Sequence, residues 1–168
     1  AADSPYLGSV LAKVRPSQRN MASYVWLIKC VGDPVFCAPN ISTGGSLGAP
    51  YAPLFVGSAD NHPAKPGFQA PDVFRATDTP ERMQARRHLL DGLERAKGEN
   101  QRHDWQALHQ RGFELVNASG PRQAFEVDRE HPRLRDRYGH NPLGQNLLLA
   151  RRLVEAGVGF VTVNGWTG

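Results

Sequence analysis

Asn164, Trp166 and Thr167 follow directly on the apolar run Val158–Val163. If that run is a strand of a layered α/β domain, these three residues lie beyond its carboxyl end, where such proteins bind their ligands. Asp33 holds the equivalent place after a second apolar run, Tyr24–Val31. Because Pro34 follows it, an Asx-type turn is its plainer reading. His140, in Tyr138-Gly139-His140-Asn141, precedes a long helical segment and could reach the same region. A turn and capping role is the plainer reading there too.

Other reactive groups form no recognisable constellation. Gly44-Gly45-Ser46-Leu47-Gly48 has the glycine content of an anion cradle but not the spacing of a phosphate-binding loop, and Pro50 follows closely. A turn that lets backbone pass close to another element fits it better. Ser42 and Ser46 lack the G-x-S-x-G setting of an activated serine. None of the 6 histidines, among them His62, His88, His103, His109 and His131, belongs to an H-E-x-x-H pair. Cys30 and Cys37 leave two readings, a disulfide closing a short loop in an exported protein or two buried thiols, and a zinc site would need about four ligands.

The elements that must position these residues are legible from periodicity and punctuation. Asp3-Ser4-Pro5 opens a short helix with Leu7, Val10, Leu11 and Val14 on one stripe, closed at Arg15-Pro16. Tyr24–Val31 reads as a strand buried on both faces. Residues 32–72 form a long Gly- and Pro-rich loop region. A stretch of that length is either functional or packed on something. Asp78-Thr-Pro-Glu81 opens a helix with Met83, Leu89, Leu90, Leu93 and Ala96 on its stripe. A further helix is expected over residues 104–118, stopped by Gly120-Pro121, and two short helical turns between Arg122 and Tyr138. Asn141 and Pro142 start the last helix, Gly157 ends it, and the strand follows almost at once. Leu143, Leu147, Ala150 and Val154 form its stripe, widened by Leu148, Leu149 and Leu153.

Bulk properties bound the function. The 168 residues suit one domain, and 40% apolar with 21% charged residues are ordinary for a globular protein. No run approaches the roughly 18 apolar residues of a membrane span. Ala1-Ala-Asp-Ser has no signal-peptide pattern and no initiating Met, so the natural start is expected to lie upstream. The net charge is +4, but Arg133, Arg135 and Arg137 alternate with Asp128, Glu130 and Asp136. That describes a mixed solvated surface, not the one-sign stripe of a nucleic-acid-binding protein.

Four segments together resemble one family: Met21–Leu27 with Leu47–Val56, Arg87–Asp91, Ala124–Asp128 with Arg137–Gly139, and above all Leu143–Val163. They resemble domain-of-unknown-function family fifteen hundred and one, a sulfatase-like branch of the alkaline-phosphatase superfamily. The resemblance implies a layered α/β fold with a central, mostly parallel sheet, and export through a twin-arginine signal. It implies hydrolysis of sulfate or phosphate esters, of small molecules or polysaccharides, in a periplasmic or secreted protein that uses divalent metal. The family's metal-ligand motifs have no counterpart here, since Trp166-Thr167-Gly168 is not its Trp-Asp-x-His segment. Residues 1–168 are therefore read as an internal part of a single sulfatase-like domain, with a helical insertion over 78–138. On this reading the stretch binds no metal itself and is inactive alone, and the metal belongs to the full-length parent. The alternative is a non-catalytic sulfatase-like binding or surface scaffold.

Overall fold

The computed structural model describes residues 3–17, 21–27, 43–58, 60–74, 79–95, 112 and 119–164. The positions of Cys30, Asp33, Cys37, Ser42, His103, His109, Trp166 and Thr167, and the helix expected over 104–118 apart from Gly112, lie outside these. The described chain is α/β. Its elements are α1 (Leu7–Val14), β1 (Tyr24–Leu27), β2 (Leu54–Val56), α2 (Pro80–Arg95), α3 (Ser119–Phe125), α4 (Pro132–Tyr138), α5 (Pro142–Ala156) and β3 (Phe160–Val163).

The three strands form a parallel sheet in the order β2-β1-β3. Trp26 pairs in register with Phe55 on one side and Thr162 on the other. The order runs outward from β1 first to one side and then to the other. β2 corrects the reading of 32–72 as loop throughout. Three residues are too few to show periodicity, and Pro53 before them is a breaker.

Pleating gives the two faces of the sheet different chemistry. Val25 and Leu27 join Val56, Phe74, Phe125, Val127, Leu149, Leu153 and Val158 in one aliphatic and aromatic core beneath α5. Tyr24 and Trp26 point the other way. Tyr24 lies 5.7 Å from Phe160 and 6.1 Å from Trp26, and Trp26 lies 6.4 Å from Phe55. Only a helix face of small residues can approach such a row of rings, and α1 turns Gly8, Ser9 and Ala12 onto it. Its expected stripe is reversed: Leu7 is 64% and Val14 76% exposed. The stripe of α5 is corrected as well. Leu147 and Val154 are exposed, while Gln145, Leu148, Leu149 and Leu153 are buried.

Local signals held where they were chemical rather than periodic. Asn141 Oδ1 accepts from Gly144 N at 2.8 Å, capping α5. Gly157 at φ 109° ends it in the left-handed conformation, and Val158 N returns to Leu153 O at 2.9 Å. α4 starts at Pro132, with His131 Nδ1 accepting from Arg133 N at 3.2 Å, and ends at Gly139. Gly120-Pro121, read as a stop, lies in the first turn of α3, where the missing Pro N–H costs no hydrogen bond. The described part of the 78–138 region is helical: α2, α3, a single turn at Val127–Arg129, and α4.

Candidate functional site

The last described residues of the three strands toward their carboxyl ends are Leu27, Val56 and Val163. Asn164 lies immediately beyond β3, and its backbone N–H donates to Leu27 O at 3.4 Å. This bond extends the β1–β3 ladder by one step and places Asn164 just past the carboxyl end of β3. Beyond β2 the chain enters a turn in which Ser58 N donates to Asn61 O at 2.8 Å. Asn61 then clamps Gln69 through both ends of its amide, Nδ2 to Gln69 O at 3.1 Å and Oδ1 from Gln69 N at 2.9 Å. His62 Nδ1 accepts from Ala64 N at 3.3 Å. Burial holds its imidazole below the ordinary 6.5, and Lys65 nearby adds to that.

α5 packs on β3 and, because only Gly157–Gly159 separates them, runs antiparallel to it. Its amino end therefore lies toward the carboxyl ends of the strands. A latch holds that end: Gln145, fully buried, donates from Nε2 to Gly139 O at 2.8 Å and to Arg135 O at 3.3 Å. Gln145 Oε1 accepts from Arg135 Nε at 3.3 Å, and Arg135 Nη1 reaches Asp128 at 2.6 Å. Further along, Arg152 donates to Ala124 O at 2.9 Å and Gln123 O at 2.5 Å, capping α3, and pairs with Glu130 at 2.5 Å.

Of the residues singled out from sequence, Asn164 lies immediately past β3 and is half-buried. His140 instead sits on the surface, its Nε2 2.8 Å from Asp136 Oδ1, with both side chains more than half exposed. It takes the turn role, one helical turn from its partner. His88 is exposed on α2. The glycine-rich turn serves close approach: Ser46 N donates to Asp3 O at 2.8 Å, and a Cβ on Gly45 would meet Pro5 N at 2.7 Å. Asn146 was missed. It is 2% exposed, and among the described residues its Nδ2 has no hydrogen-bond partner. The signal was available in sequence, as an amide within the Leu-rich side of α5.

A cavity of about 350 Å³ is lined by Phe68, Phe74 and Phe125 together with Arg122, Glu126 and Asp128. Its carboxylates are engaged: Glu126 pairs with Arg129 at 2.6 Å and Asp128 with Arg135 at 2.6 Å. Among the described residues no three of His, Cys, Asp or Glu come together to hold a metal ion. No helix among the described residues is long and apolar enough to cross a membrane.

A family model described as "Protein of unknown function (DUF1501)" matches residues 1–167. The chain belongs to this family. No curated protein and no solved structure matches the chain. Membership in the DUF1501 family accounts for the four sequence segments in their order, and the parallel sheet with α5 running back along β3 is the α/β core those segments build.

Proposed function

We propose that this chain is part of an exported hydrolase of sulfate or phosphate esters, and that the ester is held in the crevice outside the carboxyl ends of β1 and β3. The observation that supports this reading is the parallel order β2-β1-β3, running outward from β1 in both directions, with Asn164 tied to Leu27 just past the end of β3. In open α/β sheets that is where ligands bind. Substrates of the parent are small-molecule or polysaccharide esters. Its divalent metal, if the superfamily chemistry holds, is bound by residues other than those described.

The test is turnover of 4-nitrophenyl sulfate and 4-nitrophenyl phosphate by the protein carrying this chain, supplied in turn with calcium, manganese and zinc. Turnover that falls at least about tenfold in Asn164→Ala supports the reading. A folded sample that hydrolyses neither ester with any of these metals overturns it. The reading left is a non-catalytic sulfatase-like scaffold, which one observation favours: the exposed apolar row Leu7, Val10 and Val14 on α1 is a surface suited to a partner.

A further inference from the structure

We propose that the cavity beside α3 binds a primary amine carried on a small aromatic body, the ring against Phe74 and Phe125 and the ammonium donating to Glu126 and Asp128. The proposal stands on this cavity alone and does not depend on the chain being part of a hydrolase.

The lining is sorted by burial. Phe74, Phe125 and Val127 are 1%, 3% and 2% exposed. Gln69, Arg122, Glu126 and Asp128, around the same cavity, are exposed. The inner part is therefore apolar and the outer part polar, the arrangement of a small-ligand pocket. Its volume of about 350 Å³ lies within the range of such pockets, which starts near about 300 Å³. Phe74 and Phe125 already make a ring pair, with centroids 5.1 Å apart and planes at 34°. A third ring adds offset or edge contact to such a pair.

Both walls are held in place without a ligand. On one side Asn61 engages the two backbone groups of Gln69, Nδ2 to the carbonyl at 3.1 Å and Oδ1 from the N–H at 2.9 Å. The segment Phe68–Ala70 cannot move inward without breaking both bonds. On the other side Arg152 donates to Gln123 O and Ala124 O and pairs with Glu130, which fixes the end of α3 and the turn after it. A space kept open beside three phenylalanines forfeits dispersion contacts, and a ligand ring restores them.

The polar groups select the ligand. The lining carries two carboxylates against one guanidinium. Glu126 uses Oε2 for Arg129, and Asp128 uses Oδ1 for Arg135. A carboxylate accepts at both oxygens, so Glu126 Oε1 and Asp128 Oδ2 remain for a donor. Arg129 and Arg135 already offset the two charges. Discrimination therefore comes from hydrogen bonding: an ammonium brings three N–H donors and makes charge-assisted bonds about twice as strong as neutral ones. Its charge also gains from any Phe face within about 6 Å. A carboxylate ligand brings only acceptors to these oxygens.

The experiment is calorimetric titration of the protein carrying this chain with phenethylamine, 2-phenylethanol and 3-phenylpropionate, at matched ionic strength. Phenethylamine should bind saturably, 2-phenylethanol at least about tenfold more weakly, and 3-phenylpropionate not at all. Glu126→Gln and Asp128→Asn should each weaken phenethylamine about tenfold and leave 2-phenylethanol unchanged. Ala70→Leu, which fills the cavity, should weaken both. Glu126→Gln should melt as wild type, because its pair with Arg129 is exposed, so a loss of binding there is not a loss of folding. The proposal is overturned if phenethylamine does not bind, if 2-phenylethanol binds equally well, if Glu126→Gln keeps wild-type affinity, or if Ala70→Leu melts as wild type and still binds.

Discussion

The two faces of the sheet solve the same burial problem with opposite materials. Beneath α5 the sheet presents Val25 and Leu27, and the helix answers with Leu149 and Leu153, long side chains that interlock with others of their kind. Beneath α1 it presents Tyr24, Trp26, Phe55 and Phe160, and the helix answers with Gly8, Ser9 and Ala12. A row of rings already fills the interlayer space, so the helix fits only by bringing almost no side chain. The apolar residues of α1 are then left outside, where Leu7, Val10 and Val14 form an exposed row. An apolar stripe on a short helix therefore names a face that prefers to be covered, and need not name the face covered within the chain itself.

The largest test sets one face against the other. Leu153→Ala empties a site with no exposure and should lower the unfolding free energy by about 2–5 kcal/mol in urea. Leu7→Ala, at 64% exposure, should stay within about 0.5 kcal/mol. Comparable losses at both positions would show that the outer row of α1 is covered in the protein.

Gly8 sharpens the comparison next. A Cβ there would enter the buried Tyr24 ring. Helix propensity alone favours Gly8→Ala by about 1 kcal/mol, and overpacking opposes it by about 1–3 kcal/mol. A net loss of stability is expected, measured by the same denaturation. A gain would mean that the ring yields and that the aromatic face is looser than its contacts indicate.

Asn141→Ala removes the cap of α5 and should cost about 1 kcal/mol. The matching loss on the α1 side should be absent, because Tyr6 at that helix's start makes no side-chain cap hydrogen bond. Substituting Tyr6 by Leu would test this by keeping apolar bulk while leaving any cap unchanged.

The smallest effect is one of pH. Burial raises the Tyr24 phenol above its ordinary 10.0, more than the hydrogen bond from Thr162 lowers it. The folded state therefore holds the neutral phenol while the unfolded chain ionises. The resulting stability is present below about pH 10 and lost as pH rises through the folded value. Tyr24→Phe should flatten the alkaline limb of a melting-temperature profile. An unchanged slope would mean that the phenol on the aromatic face is solvated.

Much of the last third was legible because its signals are local. Asn141, Pro142 and Gly157 each act within a few residues, through a side-chain cap, a missing N–H and a positive φ. The site was legible only in outline. Asn164 could be placed because a residue just past a parallel strand must lie at its carboxyl edge, whereas His140 could not, because its 2.8 Å pairing with Asp136 depends on how α4 ends. Gly120-Pro121 misled, since the same pair that terminates one helix can begin another.

The sequence by itself determined the α/β class, the end of α1, the bounds of α4 and α5, the turn into β3 and membership in the DUF1501 family. Only the tertiary structure decided that Leu54–Val56 is a strand, that α1 and α5 bury faces other than their most apolar stripes, and that Asn146 lies buried without a partner among the described residues. The physical reason is the range of the forces involved. Caps and turns are settled by atoms a few residues apart, but which side of a helix is buried depends on the shape of the surface it meets, and three residues become a strand only when a neighbouring strand supplies the hydrogen bonds.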